Sequence, residues 1–327
     1  MKRFLAFVFA LCFIGQVQAQ QTIKIATLAP DGSSWMKELR IAAKEVETTT
    51  QGRVLIKFYP GGVMGPDAVV IRKIRLGQLQ GGVLTSSELA AVYPDAPIYS
   101  MPFLFDNWAQ VDKARVQIDP LLAKGFEAKG YKMLGASGIG FAYMMGTKPI
   151  RTRAEMNSIK LWIPQNDVIA DRVFKLGNIT PIPLPLGDVF TSLQTGLVDT
   201  VANTPSGAVA LQWHGKVRSM VDLPMSFVVG FLVLDMKAYQ KLSPADQAVV
   251  SQIFGSAAKR MDANIKRDDA AALEAMKKQG LVITKFDAAE NARWRAIGAQ
   301  VTSQMEKERL ISSEMLSAVR KAAAGAK

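Results

Sequence analysis

The sequence predicts an α/β fold made of two comparable layered units. Apolar, strand-like runs alternate with amphipathic helical segments from Thr22 to Thr85, and the same alternation restarts at Lys160 and continues to Asn203. The 308 residues from Gln20 onward are enough for two domains of about 100 to 200 residues each.

The first nineteen residues read as an export signal. Lys2 and Arg3 give a positive start, Phe4 to Gly15 an apolar run, and Val17-Gln18-Ala19 a small-residue cleavage site, which places the mature N-terminus at Gln20 in the periplasm. That apolar run is shorter than the roughly 20 residues needed to span a bilayer. Cys12 is the single cysteine. It follows Leu11, where a lipid-anchoring signal needs a small residue, and cleavage leaves a mature chain without disulfides, thiolate nucleophiles or Cys-ligated metals.

The formal charge of +12 falls to +10 without Lys2 and Arg3. The positive residues are dispersed along helical stretches such as Arg72 to Arg75 and Lys259 to Arg267, interleaved with acids and apolar positions. This pattern describes a solvated surface rather than a nucleic-acid stripe, and export removes the nucleic-acid partner.

The first unit opens with the strand Thr22 to Leu28. Pro30 to Ser34 offers capping side chains to a helix with Met36, Leu39, Ala43 and Val46 on its apolar face, ended by Gly52. A strand Val54 to Tyr59, a turn at Pro60-Gly61-Gly62, a helix Asp67 to Leu76 closed by Gly77 and a strand Gly82 to Thr85 follow. Beyond a helix at Trp108 to Lys124, β signals return separately at Lys132 to Gly138 and Phe141 to Gly146. The second unit runs through the strand Lys160 to Pro164, a helix Asp167 to Leu176, the strand Ile182 to Pro185, a helix Asp188 to Gly196 and the strand Thr200 to Asn203. Phe227 to Leu234 is an apolar β run, and Ser243 caps a helix reaching Lys278, long enough at about 1.5 Å per residue to bridge both units. The tail from Asp287 to Ala324 is helical and is expected to pack outside the second unit.

Catalytic patterns are absent from the sequence. The single histidine, His214, rules out a His-His metal site, no GxSxG elbow accompanies it, and no glycine-rich stretch has P-loop or GxGxxG form. Asp268-Asp269 sits on a helix face expected to be solvated. The chain reads as a binding protein with no cofactor and no metal, not an enzyme.

The segment Pro185-Leu-Gly-Asp-Val-Phe-Thr-Ser-Leu-Gln-Thr-Gly-Leu-Val-Asp199 closely resembles the signature of TRAP-type (tripartite ATP-independent periplasmic, DctP) solute-binding proteins. Asp188 is suited to cap that helix and Gly196 to stop it in a left-handed turn. Tyr59-Pro60 with Gly65, Gly77-Gln-Leu79, Tyr93-Pro94, Pro102-Phe-Leu-Phe105, Lys160 to Pro164 and Leu242-Ser-Pro-Ala-Asp246 agree in the same order, so the resemblance covers essentially the whole mature chain. It implies a two-domain periplasmic-binding-protein-like fold with mixed sheets, a hinge and a long domain-bridging helix. Domain I would comprise residues 20–140 with 229–268, and domain II residues 141–228 with 269–327. It further implies a monomeric receptor that captures a small-molecule ligand between the domains and hands it to small and large integral membrane subunits. A binding protein of an ABC importer or sensor, and an exported enzyme on the same fold, are the competing readings.

The resemblance also carries site residues. Family members that bind carboxylates hold an Arg where this chain has Trp162, and a second Arg where it has Ala142 beside Tyr143. Either Arg153 or Arg172 supplies the missing charge, or the pocket encloses an apolar or aromatic body. Asn203 falls at a ligand-binding Asn of the family, and Asp67 at a helix start and Thr85 at a strand end are next by family position. Tyr143, Leu186 and Trp213 complete the candidate ligand-binding set.

Overall fold

Strand, helix and turn residues follow one another in the order that hydrophobic periodicity dictates. In the computed structural model, which describes residues 20–324, the elements are β1 (Gln21–Thr27), α1 (Ser34–Thr49), β2 (Val54–Tyr59), α2 (Asp67–Arg75), β3 (Gly81–Thr85) and α3 (Ser86–Leu89). Next come α4 (Trp108–Ala128), β4 (Tyr131–Gly146), α5 (Arg153–Met156), β5 (Leu161–Pro164), α6 (Val168–Leu176) and β6 (Ile182–Leu184). Then follow α7 (Val189–Thr195), β7 (Thr200–Asn203), α8 (Pro205–Ala210), β8 (Ser219–Val221) and β9 (Ser226–Asp235). The chain ends with α9 (Met236–Gln240), α10 (Pro244–Lys278), β10 (Val282–Thr284), α11 (Ala288–Lys307) and α12 (Ser313–Ala324). The expected export signal, its cleavage site and Cys12 lie outside the described residues. Among the described residues no helix is long and apolar enough to cross a membrane.

The strands form a mixed sheet in the order β2-β1-β3-β9-β4-β7-β5-β6, with β8 on β4 and β10 on β8. β1 lies parallel to both β2 and β3, and β9 runs antiparallel between β3 and β4. Beyond β4 the ladder continues antiparallel to β7 and then parallel through β5 to β6. The two β signals expected at Lys132 to Gly138 and Phe141 to Gly146 are therefore one strand of 16 residues. Its first part pairs with β9 and its last part with β7, so β4 threads both halves of the sheet. The glycines that suggested a break mark irregularities instead: the register with β9 shifts between Met133 and Gly135 and again between Gly138 and Gly140. At Gly135 a Cβ would come within 2.8 Å of the Ala258 side chain, so glycine is what lets α10 lie this close to the strand.

Three apolar clusters hold these layers. One centres on Ile25, Met36, Leu39, Leu234 and Phe254, a second on Tyr99, Phe126, Phe227 and Phe231, and a third on Met145, Trp162, Val201 and Trp213. Each such large side chain contributes about 1.5–3 kcal/mol on burial.

The helix α10 begins where expected, with Ser243 Oγ accepting the Asp246 N–H at 3.1 Å, and continues unbroken for 35 residues, about 50 Å. It packs in turn on α1, β4 and α8. Polar ties fix its middle: Asp262 Oδ1 accepts the Gly138 N–H at 2.7 Å, and Arg115 joins Asp262 to Asp119 and to the Ala136 carbonyl. Asp269 does not carry the solvated charge expected for it. It accepts the Ser206 N–H at 2.9 Å at the start of α8, and burial raises its pKa.

Two further expectations need correction. Asp188 makes no capping bond, because the turn Leu186–Asp188 already holds it in helical backbone (φ −90°, ψ −10°) and its side chain does not reach back to the free N–H groups. Gly196, by contrast, sits at φ 72°, the left-handed stop its position suggested. The tail divides: α11 lies on α6, with Trp294 edge-on to Phe174 at 6.0 Å, but α12 packs on α4. Its start is tied to the segment ahead of α4 by the Ser312 N–H donating to Asp95 Oδ1 at 2.7 Å.

Candidate functional site

Strand ends from both halves of the sheet converge on a cavity of about 250 Å³. Thr27 to Pro30 after β1, Asp67 at the start of α2, Val83 to Thr85 at the end of β3 and Ser86 line one side. Trp162 to Pro164 of β5, Asp167 of the β5–α6 connection, Ile169 of α6, Leu186, and Ala202 and Asn203 of β7 line the other. Ala142 of β4, Val228 of β9 and Phe254 of α10 close the remainder. The wall is chiefly apolar, and among the described residues that line it only Asp67 and Asp167 carry charge; none is Lys, Arg or His.

Asp67 is the most constrained polar group. It occupies the first turn of α2 after the N-cap Pro66, and instead of capping its own helix it reaches β3: Oδ2 accepts both the backbone N–H and the hydroxyl of Thr85, each at 2.9 Å. Oδ1 is buried without a partner, in a residue only 2% exposed. Burial pushes this carboxyl up to about 6; the Thr85 bonds pull it down and the nearby Glu88 charge pushes it further up. Asp167 caps α6 by accepting the Ala170 N–H at 2.9 Å, and burial raises its pKa too. Across the two sides, Asn166 Nδ2 donates to both Glu88 carboxylate oxygens, at 3.1 and 3.0 Å.

Trp162 lines the cavity from β5, and its environment restricts what it can do there. Its Nε1–H donates to the Leu184 carbonyl at 2.9 Å, so the ring offers a ligand its face or edge and not its N–H. Trp213 stands edge-on behind it, ring centres 5.2 Å apart, is 1% exposed and does not line the cavity. Tyr143 pairs in register with Asn203 but also lies outside the lining; burial, then the charges of Asp269 and Asp222, push its hydroxyl up to about 12. Asn203 Oδ1 accepts the Thr204 N–H at 2.7 Å, which leaves the amide Nδ2 end for a ligand. Trp162, Asn203, Asp67, Thr85 and Leu186 thus come together on one cavity, and Tyr143 and Trp213 do not.

Neither arginine proposed as a replacement cation reaches the site. Arg153 is held by Glu290 at 3.1 Å and Arg172 by Glu308 at 2.7 Å, and neither lines the cavity. Trp35 was not singled out from sequence because it continues the apolar stripe of Leu39, Ala42 and Val46 and so reads as a core residue; it lines the cavity, and its indole N–H is buried without a partner. Among the described residues no group of three or more His, Asp or Glu side chains is placed to hold a metal ion.

The architecture and the signature segment find their counterpart in known proteins. The family model described as bacterial extracellular solute-binding protein, family 7 (DctP) matches residues 25–309. The chain belongs to this family. It is similar to the 2,3-diketo-L-gulonate-binding periplasmic protein YiaO of Escherichia coli, at 27% identity covering 85% of this chain and 86% of that one. It also resembles the C4-dicarboxylate-binding periplasmic protein DctP of Rhodobacter capsulatus, at 24% identity covering 92% and 89%. Among solved structures, the sugar acid binding protein DctPAm of Advenella mimigardefordensis in complex with galactonate superimposes with a TM-score of 0.86 at 22% identity, covering 94% of this chain and 99% of that one. The chain is accordingly a solute-binding protein of the DctP family, and its family is one of periplasmic solute-binding proteins.

Proposed function

We propose that this receptor captures one small organic solute with an apolar or aromatic body in the cavity between the two halves of the sheet and delivers it to the small and large membrane subunits of a TRAP transporter. The observation that carries the ligand class is the lining itself: an apolar wall with the Trp162 ring where carboxylate-binding relatives place an Arg, and no cation among the described lining residues. Leu186 and Ala142 extend the apolar wall, and Asn203 and Thr85 stand at its polar edge. The chain acts as a binding protein rather than an enzyme, as a monomer, after export and cleavage behind Ala19. Residues 20–140 with 229–268 form one clamp domain and 141–228 with 269–311 the other, α12 returning to pack on α4 of the first, and β4 and α10 are the connections about which they move.

A second reading, an organic acid held by neutral donors such as Asn203 Nδ2, is favoured by the galactonate bound to the Advenella protein and by the pyroglutamic acid bound to DctP7 of Bordetella pertussis. A thermal-shift screen of the mature protein against aromatic compounds, aliphatic alcohols and short organic acids separates the two. The apolar-body reading expects hits confined to compounds with a ring or branched chain, with about 2.7 kcal/mol of added stability at 100 times the dissociation constant. Hits confined to short hydrophilic acids overturn it.

A further inference from the structure

We propose that the captured solute carries a positively charged nitrogen whose N–H group docks on Asp67 Oδ1. The inference deepens the cavity reading above and rests on it. Three independent features of the site converge on it.

The first is the unmatched acceptor. Asp67 is 2% exposed and lines the cavity, Thr85 satisfies only Oδ2, and Oδ1 has no partner in the protein. A buried carboxylate oxygen left unpaired is expensive, and a donor arriving with the solute removes that penalty. The second is the sign of the surroundings. Asp167 is the other charged lining residue, Glu88 lies close enough to act on both carboxyls, and no Lys, Arg or His among the described lining residues offsets them. The local field is negative in a chain whose overall balance is positive, so an anionic solute would meet repulsion where a cation meets attraction. The third is the shape of the remaining wall. The Trp162 ring and the aliphatic side chains around it suit an apolar body, and aromatic faces favour a cation held beside them. Trp35 contributes a buried indole N–H without a partner, a place for one acceptor atom on the same solute.

The test uses three probes of one size and shape: benzylamine, benzyl alcohol and benzoate, titrated calorimetrically into ligand-free mature protein at pH 7.5. A charge-assisted hydrogen bond to a buried carboxylate predicts that benzylamine binds at least about tenfold tighter than either of the others. Asp67→Asn should then remove the preference, so that the variant binds benzylamine no tighter than benzyl alcohol. Benzoate or benzyl alcohol binding as tightly as benzylamine to the wild type overturns the inference while leaving the cavity reading intact, and this comparison needs no variant to fold. Retention of the benzylamine preference in a folded Asp67→Asn protein overturns it equally. If none of the probes binds and the fluorescence of Trp162 does not respond to them, the cavity reading falls and the inference falls with it.

Discussion

A carboxylate kept in a binding cavity for a solute should be a burden when the solute is absent, and Asp67→Asn measures that burden. Burial moves the Asp67 carboxyl from the ordinary value of 3.8 to about 6, a little over two pH units. At about 1.4 kcal/mol per unit, the folded state favours the protonated form by about 3 kcal/mol relative to the unfolded chain. The sign follows from the direction of the shift. Below pH 4 both states are protonated and nothing is lost; between about pH 4 and 6 the unfolded chain ionises first, so stability falls as pH rises, and above 6 the full penalty is present. Asparagine copies the neutral form, and its carbonyl oxygen can take both Thr85 bonds now made by Oδ2. Its NH2 group then replaces Oδ1 and is itself unpaired, which offsets about 1 kcal/mol or more of the gain. The variant should therefore be about 1–2 kcal/mol more stable than the ligand-free wild type at pH 7.5 and no more stable at pH 4. Urea unfolding of both proteins at the two pH values reads this directly, and the difference between the two comparisons should be about 3 kcal/mol. A stability difference that is the same at both pH values would refute the reasoning that burial governs this group.

Other positions give sharper or simpler outcomes. Asn203→Ala should weaken solute binding by about 1 to 3 kcal/mol in a calorimetric titration with urea stability little changed, because the residue lines the cavity and its side chain makes one local bond to Thr204. Trp162→Phe should reduce the solute-dependent tryptophan fluorescence change to the part contributed by Trp35, and should lower stability by about 1–3 kcal/mol because the Leu184 carbonyl loses its donor. Arg115→Ala leaves Asp119 and Asp262 without their shared cation at the crossing of α4, β4 and α10, and should lower stability by about 3–5 kcal/mol in the same urea assay.

The elements of the fold were legible because their signals are local. Apolar strand-like runs marked β1, β3 and β9, Ser243 announced the start of α10, and the glycine at 196 announced the stop of α7. What sequence periodicity concealed was long-range. Separate β signals on either side of Ile139 gave no hint that one strand serves both halves of the sheet, since a bulge and a strand break leave the same glycine-rich trace. Asp188 looked like a cap, but whether a side chain caps depends on a backbone angle that a 3-10 turn had already taken. The tail looked like a satellite of its nearest neighbours in sequence, yet the apolar faces of α12 and α4 match across nearly two hundred residues.

The site was legible to the extent that it follows strand ends. Trp162, Asn203, Asp67, Thr85 and Leu186 sit at or beside the ends of β3, β5, β6 and β7, or at the start of α2, and these converge. Trp213 failed because an aromatic two layers from the cavity resembles one at its wall until packing is known, and Tyr143 because strand pairing with Asn203 does not place its ring in the same space. Trp35 and the unpaired oxygen of Asp67 had no sequence signal: both are statements about what a buried atom lacks, visible only once its neighbours are fixed.

That this cavity holds the solute can be tested directly through the five tryptophans of the chain. With indole nitrogens labelled with ¹⁵N and each resonance assigned by a Trp→Phe replacement, titration with benzylamine should shift the Trp35 and Trp162 signals most, saturating at one equivalent, because these two rings line the cavity and Trp108, Trp213 and Trp294 do not. Saturable binding that leaves the Trp35 and Trp162 resonances in place would mean that the solute is held elsewhere.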